Sequence, residues 1–395
     1  MTRVMIIGAG IGGSATALAL HKAGFDVTVY EAHPESGEDI GAFLTLADNG
    51  MQALRQIDAA VPITEVGFAL TSAKLLAEDG TVLSTMPLSG HEDPLTRFRC
   101  LRRARLAAAL RAEVTKRGIE IRHGARLASA TEDADGVTVG FTDGDTARGD
   151  ALIGADGLNS TLRGLIDPDA PAPRYAGQRV FYGYTSNIAP KSEPGQITMI
   201  TGSTAAFGFA VSPEGETYWF ARLPGEKPLR PTDIVATTSA QWRDFLVPLL
   251  RADATPAADI VAKTKQELLV TNARDLPGLN RWRTERMIVI GDAAHAASPA
   301  TAHGASMAIE DAVVLAKALR DADGLAAGLA LYEEIRRPRV EENIANGARM
   351  TVSRMPDREQ RAIDNEVVRQ REPQPSPPLA GMDIGRQLDW DTRLA

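Results

Sequence analysis

The stretch that most constrains this chain lies near its start. Val4 to Ile7 is a short apolar run, Gly8-Ala9-Gly10-Ile11-Gly12-Gly13 follows, and small and apolar residues continue from Ile11 to Ala23 before Gly24. The pattern reads as a buried strand, a tight turn and a helix, followed by a second strand from Asp26 to Tyr30 that ends at Glu31. Gly8 permits the turn, Gly10 lets backbone approach a pyrophosphate at the positive end of the helix, and Gly13 lets helix pack on strand. Glu31, 18 residues beyond Gly13, is placed to accept hydrogen bonds from a ribose. A glycine-rich turn alone is common. Strand, turn, helix, strand and terminal acid in this order specify a dinucleotide site, and an acid at the strand end favours an unphosphorylated ribose. NAD and FAD both satisfy those requirements.

The same glycines decide how the first residues are read. A basic start, an apolar run and small residues imitate a secretory signal, but four glycines between Gly8 and Gly13 interrupt the run. No later segment has the roughly 20 consecutive apolar residues of a membrane span. Neither a targeting signal nor a transmembrane helix is expected. Cys100 is the single cysteine, so there is no disulfide framework and no cysteine metal cluster, and a reducing cytoplasm is the expected setting. A net charge of -8 with no long basic block gives no electrostatic reason to bind nucleic acid or anionic lipid, which leaves small-molecule chemistry.

Two later stretches repeat the design of the first. Ala151 to Ala155 is a short apolar strand ending at Asp156-Gly157, with Asn159, Ser160 and Arg163 beyond it. Met287 to Ile290 is another, ending at Gly291-Asp292, with a helix expected from about Gly304 to Leu319. A carboxylate beside a glycine at a strand end can meet ligand hydroxyls where loops gather at the sheet edge. It can equally do no more than cap the helix that follows.

Taken together, GAGIGG with Glu31, ADGLNSTLR and GDAAH…SPATAHGASMAIEDA resemble the single-component FAD-dependent aromatic monooxygenases of the para-hydroxybenzoate hydroxylase fold, and YEEIRRPR extends the resemblance to Arg339. It implies an α/β protein: a Rossmann-like FAD-binding domain (1–174 and 277–345), an inserted mainly β substrate domain (175–276), and a C-terminal helix with a proline-containing tail (346–395). It also implies that Gly8, Gly10, Ile11, Gly12, Gly13 and Glu31 hold the adenosine half of FAD. Gly291 and Asp292 would meet the ribityl chain, and Asp156 and Gly157 the pyrophosphate region and reduced-nicotinamide use. Arg103, in an Arg-x-x-Leu segment that Arg102 fits less well, would touch the cofactor. Pro299 and the backbone of Gly304, Ala305 and Ser306 would face the isoalloxazine. Amides at the start of the Gly304 helix would put partial positive charge where reduced flavin carries negative charge.

The chain departs from that family at two places. Ala302 stands where glycine is usual, and Ser306 where asparagine is frequent. Paired changes suggest a rebuilt loop in which Ala302 has moved to negative φ.

The two histidines of this loop invite a metal or nucleophile reading. Six histidines in all, no HExxH, and no GxSxG around Ser298 argue against it. His295 is expected to pack helix on sheet. For a base the guesses are His303 and Tyr184. Tyr182, Tyr184, Phe207, Phe209, Trp219 and Phe220 lie on strands of the inserted sheet, where aromatics more often build core than line a pocket.

The function implied is oxygenation of an aromatic or polycyclic small molecule with NAD(P)H and O2, by way of a C4a-hydroperoxyflavin. A dehydrogenase or reductase, a halogenase, and a flavoprotein that sequesters its ligand without turnover are the alternatives. Halogenation asks for Trp-x-Trp-x-Ile-Pro, whereas the nearest text is YWFARLP, Tyr218 to Pro224.

Overall fold

The structure is a computed structural model that describes residues 1–34, 42–88, 92–351, 355–370 and 384–394. The proline-rich linker expected at Arg371 to Pro378 lies outside the described residues.

A five-stranded parallel sheet runs in the order Met287–Val289, Ala151–Gly154, Arg3–Ile7, Asp26–Glu31, Glu120–His123. Its central strands are apolar at successive positions because both faces are covered, one by helices and the other by the three-stranded sheet of Leu127–Asp133, Gly136–Phe141 and Thr146–Gly149, and Val4, Ile6, Leu152 and Ile288 are fully buried. Strand order brings the three glycine motifs together. Arg3–Ile7 pairs in parallel with Ala151–Gly154, which pairs in parallel with Met287–Val289, so all three strands end at one sheet edge, where ligands of such sheets bind.

Two helices close over that edge. In Ile11–Lys22, a Cβ on Gly13 would stand 1.9 Å from the Gly8 carbonyl oxygen, so only glycine permits this approach. A Cβ on Gly12 would lie 3.4 Å from that of Ala308 in the long helix Gly304–Asp321, so the two helices pack backbone to backbone.

A seven-stranded sheet faces this domain, in the order Leu269–Asp275, Arg174–Thr185, Thr217–Pro224, Ala206–Val211, Gln196–Thr201, Ser72–Ala77, Val82–Pro87. Alternation along Thr217–Pro224 sends Trp219, Ala221 and Leu223 to one face, where they form a core with the helices Ser239–Leu250 and Ala257–Lys263. Tyr218, Phe220 and Arg222 go to the other. The sheet is not wholly inserted after residue 175, as the sequence reading had it. Ser72–Ala77 pairs in parallel with Gln196–Thr201 and brings Val82–Pro87 with it. Two strands from within the first 174 residues therefore complete the sheet, a pairing that spans more than a hundred residues and leaves no local signature.

The chain then continues into the helix Leu325–Met350. The last described residues dock on the Gly304 helix: Leu388 is buried, and Lys317 Nζ donates to the carbonyls of Gln387 at 2.7 Å and Asp389 at 2.5 Å.

Candidate active site

A cleft opens where the three strand ends meet. Gly10, Ile11 and Gly12 line it from the first turn, Ala155 and Gly157 from the second, and Gly291 and Asp292 from the third, with Arg103, Pro299, Thr301, Ala302, Gly304 and Ala305 closing it. The glycines show what the cleft requires. Gly10 has an ordinary φ of -71°, and a Cβ built there would meet nothing within 4 Å. The protein gives no reason of its own for glycine at that position; a ligand lying against the backbone does. Gly157 also opens on empty space, but its φ of 74° already favours glycine.

Asp292 is exposed in the cleft and faces Gly304, with Oδ1 4.0 Å from a Cβ built there. Asp156 is different. Its Oδ2 accepts the amides of Thr161 at 2.8 Å and Leu162 at 3.2 Å, so it caps the helix Thr161–Ile166 and does not line the cleft, although Ala155 and Gly157 on either side do. Asp156 thus makes capping contacts with Oδ2, while its buried Oδ1 meets no partner among the described residues. Glu31 accepts the amides of Ala9 at 2.8 Å and His33 at 2.9 Å, tying the glycine turn to the end of the second strand while keeping further lone pairs for a ligand. Gly8 and Gly13 shape the turn from behind.

The two adjacent arginines part at the junction of strand and helix. Arg103 lines the cleft. Arg102 turns away to pair with both oxygens of Glu216, at 3.0 and 2.9 Å, and its guanidinium lies 4.2 Å from the Tyr184 ring centre.

The loop from Gly291 to Ala305 is braced from beneath. Asp311 Oδ2 accepts the Gly291 amide at 2.9 Å and meets His295 Nε2 at 2.5 Å, while Oδ1 takes Arg336 Nε at 2.7 Å. Glu310 takes Arg336, Arg339 and Asn49. Burial by itself would raise both carboxyls, but His295 and Arg336 beside Asp311, and Arg336 and Arg339 beside Glu310, hold them below the ordinary range. His295 stacks on Trp282 with ring centres 5.8 Å apart, so it is a packing residue.

Above this base Pro299–Thr301 forms a 3-10 turn, and Ala302 leaves it at φ 54°, ψ 17°. That overturns the expectation of negative φ. The chain has to reverse between the turn and the helix starting at Gly304, and the left-handed region makes the reversal whether the residue is glycine or alanine. Ala302 is exposed, so its methyl group projects into the cleft and meets little protein.

Three other expectations are corrected here. Ser306 is buried and does not line the cleft; its hydroxyl accepts the Ala47 amide at 3.1 Å, fixing the helix Asp48–Gln56 where a Cβ on Gly50 would collide with Ser306. His303 precedes the helix, and its Nδ1 is occupied by the Thr301 carbonyl. Tyr184 is buried against Phe43, Tyr218 and Arg102. Neither His303 nor Tyr184 lines a cavity of the site.

A second cavity, of about 220 Å³, adjoins the first. Phe43, Tyr182, Ile197, Met199, Phe220 and Arg222 form its walls, and it shares Leu44, Pro299, Ala302, Gly304 and Ala305 with the cleft. Burial pushes the Tyr182 hydroxyl up to about 12, so it is a hydrogen-bond donor near neutral pH. Sequence reading missed Phe43, Ile197, Met199 and Arg222. Arg222 had a signal: it lies two residues beyond Phe220 on the same strand, hence on the same face.

A parallel dinucleotide-binding sheet, a glycine-lined cleft and an apolar cavity across a shared wall define a flavoprotein of the aromatic-hydroxylase kind. The sequence profile of the FAD binding domain family matches residues 1–347, and the chain belongs to that family. It is 29% identical over 353 residues to the aurachin C monooxygenase/isomerase of Stigmatella aurantiaca, covering 88% of both chains. It is 30% identical over 361 residues to the FAD-dependent urate hydroxylase of Klebsiella pneumoniae, covering 86% of this chain and 87% of that one. The crystal structure of Klebsiella pneumoniae HpxO complexed with FAD and uric acid superimposes with a TM-score of 0.84 at 26% identity, over 98% of this chain and 96% of that one. The chain is an FAD-dependent monooxygenase. Among the described residues, no helix is long and apolar enough to cross a membrane.

Proposed function

We propose that this protein uses NAD(P)H and O2, in the cytoplasm, to oxygenate a one- or two-ring aromatic substrate held in the cavity between Phe43, Tyr182, Phe220 and the Pro299 loop. The observation that carries this is the shared wall: the segment Pro299 to Ala305 borders the cofactor cleft on one side and the aromatic cavity on the other. Engineered cavities of about 150 Å³ take up benzene, so about 220 Å³ suits a small ring system.

The adenosine half of FAD would lie against Gly10, Ile11 and Gly12 with Glu31 behind, the ribityl chain beside Asp292, and the flavin ring against Pro299 and the backbone of Gly304 and Ala305. When bound, FAD supplies hydride acceptance and oxygen transfer. The chain's own residues then have three tasks. Amides at the start of the Gly304 helix offer partial positive charge to the reduced ring. Phe43, Phe220, Ile197 and Met199 exclude water and press the substrate towards the shared wall. Tyr182 donates a hydrogen bond. Among the described residues lining this cavity there is no histidine, carboxylate or lysine, so the substrate brings its own electron-rich carbon. The lack of a lysine also argues against halogenation.

The test has two stages. Heat-released cofactor analysed by mass spectrometry is expected to be FAD; FMN alone, or no flavin after reconstitution, defeats the reading. NAD(P)H oxidation and O2 uptake are then followed across a panel of one- and two-ring aromatics. Uptake with release of oxygenated product supports monooxygenation, whereas binding without uptake by every member means a ligand-sequestering protein.

A further inference from the structure

Gly208 is buried in the middle of the strand Ala206–Val211, paired with Met199 on one side and Phe220 on the other. The register runs unbroken through both pairings, and its φ lies outside the left-handed region, so neither a bulge nor a turn calls for glycine. A glycine inside a strand weakens it unless something must approach closely. Here the approach comes from two side chains. A Cβ on Gly208 would stand 2.5 and 2.6 Å from Cε1 and Cζ of Phe220, and 2.9 Å from Sδ of Met199. Both Phe220 and Met199 line the aromatic cavity.

Strand alternation fixes the face. Phe207 and Phe209, on either side of Gly208, belong to the core on the far side of the sheet, so position 208 points towards the cavity. Across the sheet the row reads Tyr182, Phe220, Gly208, Met199. The one position without a side chain is covered by its neighbours: the ring edge of Phe220 and the thioether of Met199 lie over the Gly208 backbone, which sets the cavity wall back towards the sheet. Gly183 is a strand glycine of the other kind. A Cβ there would meet the Trp219 indole at 2.5 Å, on the core face.

We propose that Gly208 sets the depth of the aromatic cavity and with it the size of ring system that the protein accepts. It is a positioning residue that acts through Phe220 and Met199. This rests on the oxygenase reading of the same cavity and narrows its substrates to planar, fused two-ring aromatics. A volume of about 220 Å³ exceeds that of an engineered cavity that takes up benzene by about half, close to the step from a single ring to a fused pair. A methyl group at position 208 would drive Phe220 and Met199 away from the strand, and the open space on that side is the cavity. Both contacts are with the far ends of side chains, and methionine adapts readily, so the fold survives while the cavity becomes shallower.

The test uses the FAD-loaded protein with phenol and 2-naphthol, probes matched in their single hydroxyl, and reads dissociation constants by isothermal titration calorimetry. The parent is expected to bind 2-naphthol tenfold or more tightly than phenol. Gly208→Ala should bring that ratio to threefold or less by weakening 2-naphthol, with phenol changed by less than threefold. Adding Phe220→Leu, which deletes the two ring atoms that the methyl group meets, should return the ratio to within threefold of the parent's. Gly183→Ala should lower the thermal midpoint and leave the ratio alone. Should Gly208→Ala lose FAD or fold poorly, Met199→Ala reads the same wall: vacating the space over Gly208 should tighten the three-ring probe 2-anthrol tenfold or more. A parent that does not favour 2-naphthol, including one that binds neither probe, overturns the inference. So does an unchanged ratio in Gly208→Ala, an equal loss for both probes, a ratio that Phe220→Leu does not bring back, a ratio that falls as far in Gly183→Ala, or no gain for 2-anthrol where Met199→Ala is used. A protein that takes up no FAD, or consumes NAD(P)H and O2 with no aromatic at all, instead removes the oxygenase reading and the inference with it.

Discussion

Asp311 accepts His295 Nε2 at 2.5 Å, beneath the loop that carries Asp292, and both residues are almost completely buried. The same carboxylate oxygen accepts the Gly291 amide. One acid on the long helix thus fixes the strand end from which Asp292 enters the cleft. His295→Ala should cost about 2–4 kcal/mol of stability, since it leaves a buried charge with one partner fewer. FAD binding should survive, because Gly291 and Arg336 still hold Asp311. Denaturant unfolding and FAD titration read the two effects; loss of FAD with unchanged stability would make His295 a ligand contact.

The acid limit of stability follows from the same network. Glu310 and Asp311 sit below their ordinary values of 4.5 and 3.8, so as pH falls the unfolded chain takes up protons first. Their stabilisation is fully present above those values and is lost as pH drops through the lower values of the folded state. Glu310→Gln should therefore destabilise the protein at pH 7, and the gap between variant and parent should narrow below about pH 4. A gap independent of pH would show that Glu310 contributes no charge-dependent stability.

Gly10 and Gly13 belong to one motif but answer to different neighbours. A methyl group at Gly10 meets no protein atom within 4 Å, whereas at Gly13 it meets the Gly8 carbonyl oxygen at 1.9 Å. Gly10→Ala should leave the apoprotein within about 0.5 kcal/mol of the parent yet weaken FAD tenfold or more. Gly13→Ala should destabilise the apoprotein itself by about 1–3 kcal/mol. Equal FAD affinity for Gly10→Ala and the parent would show that no ligand backbone contact occurs there.

Asp292 is exposed in the cleft, while Asp156 caps a helix. Asp292→Ala should weaken FAD by about 10- to 100-fold, the range of one charge-assisted hydrogen bond of about 1.5–3 kcal/mol. Asp156→Ala should mainly lower stability, by about 1 kcal/mol as for a lost cap. FAD dissociation constants and unfolding curves for both variants test this, and the reverse assignment of the two effects would refute it.

Ala302 occupies the left-handed region at φ 54°. That conformation costs an L-residue with a Cβ about 1–2 kcal/mol, while glycine at a compatible site costs about 0.4–1 kcal/mol through the unfolded chain. The first term is larger. Ala302→Gly should stabilise the loop by about 0.5–1 kcal/mol and tighten FAD or leave it unchanged. Weaker FAD binding together with lower stability would mean that the alanine methyl contributes contacts beyond its strain.

The class of this protein was legible in its sequence because its signals are local. Glycines at Gly8, Gly10 and Gly13, apolar runs of strand length and the acids beside them lie within a few residues of one another, and their periods report strand and helix directly. The family resemblance set Arg103 apart from Arg102, and Arg103 is the one of the two that lines the cleft. What each polar residue faces was not legible, because that depends on residues far away in the chain. Asp156 and Asp292 look alike in sequence; only folding gives one a helix to cap and the other a cleft. Ser306 reads as part of the flavin loop until the Ala47 amide, 259 positions away, claims its hydroxyl. Ala302 reads as a residue free to adopt negative φ until the turn before it and the helix after it force a reversal. Arg222 is one arginine among many until a register with Val180 and Ala206 places it at the cavity wall. Local pattern specifies backbone conformation, whereas the partner of a buried charge is decided by which strands and helices meet, and only the tertiary structure brings them together.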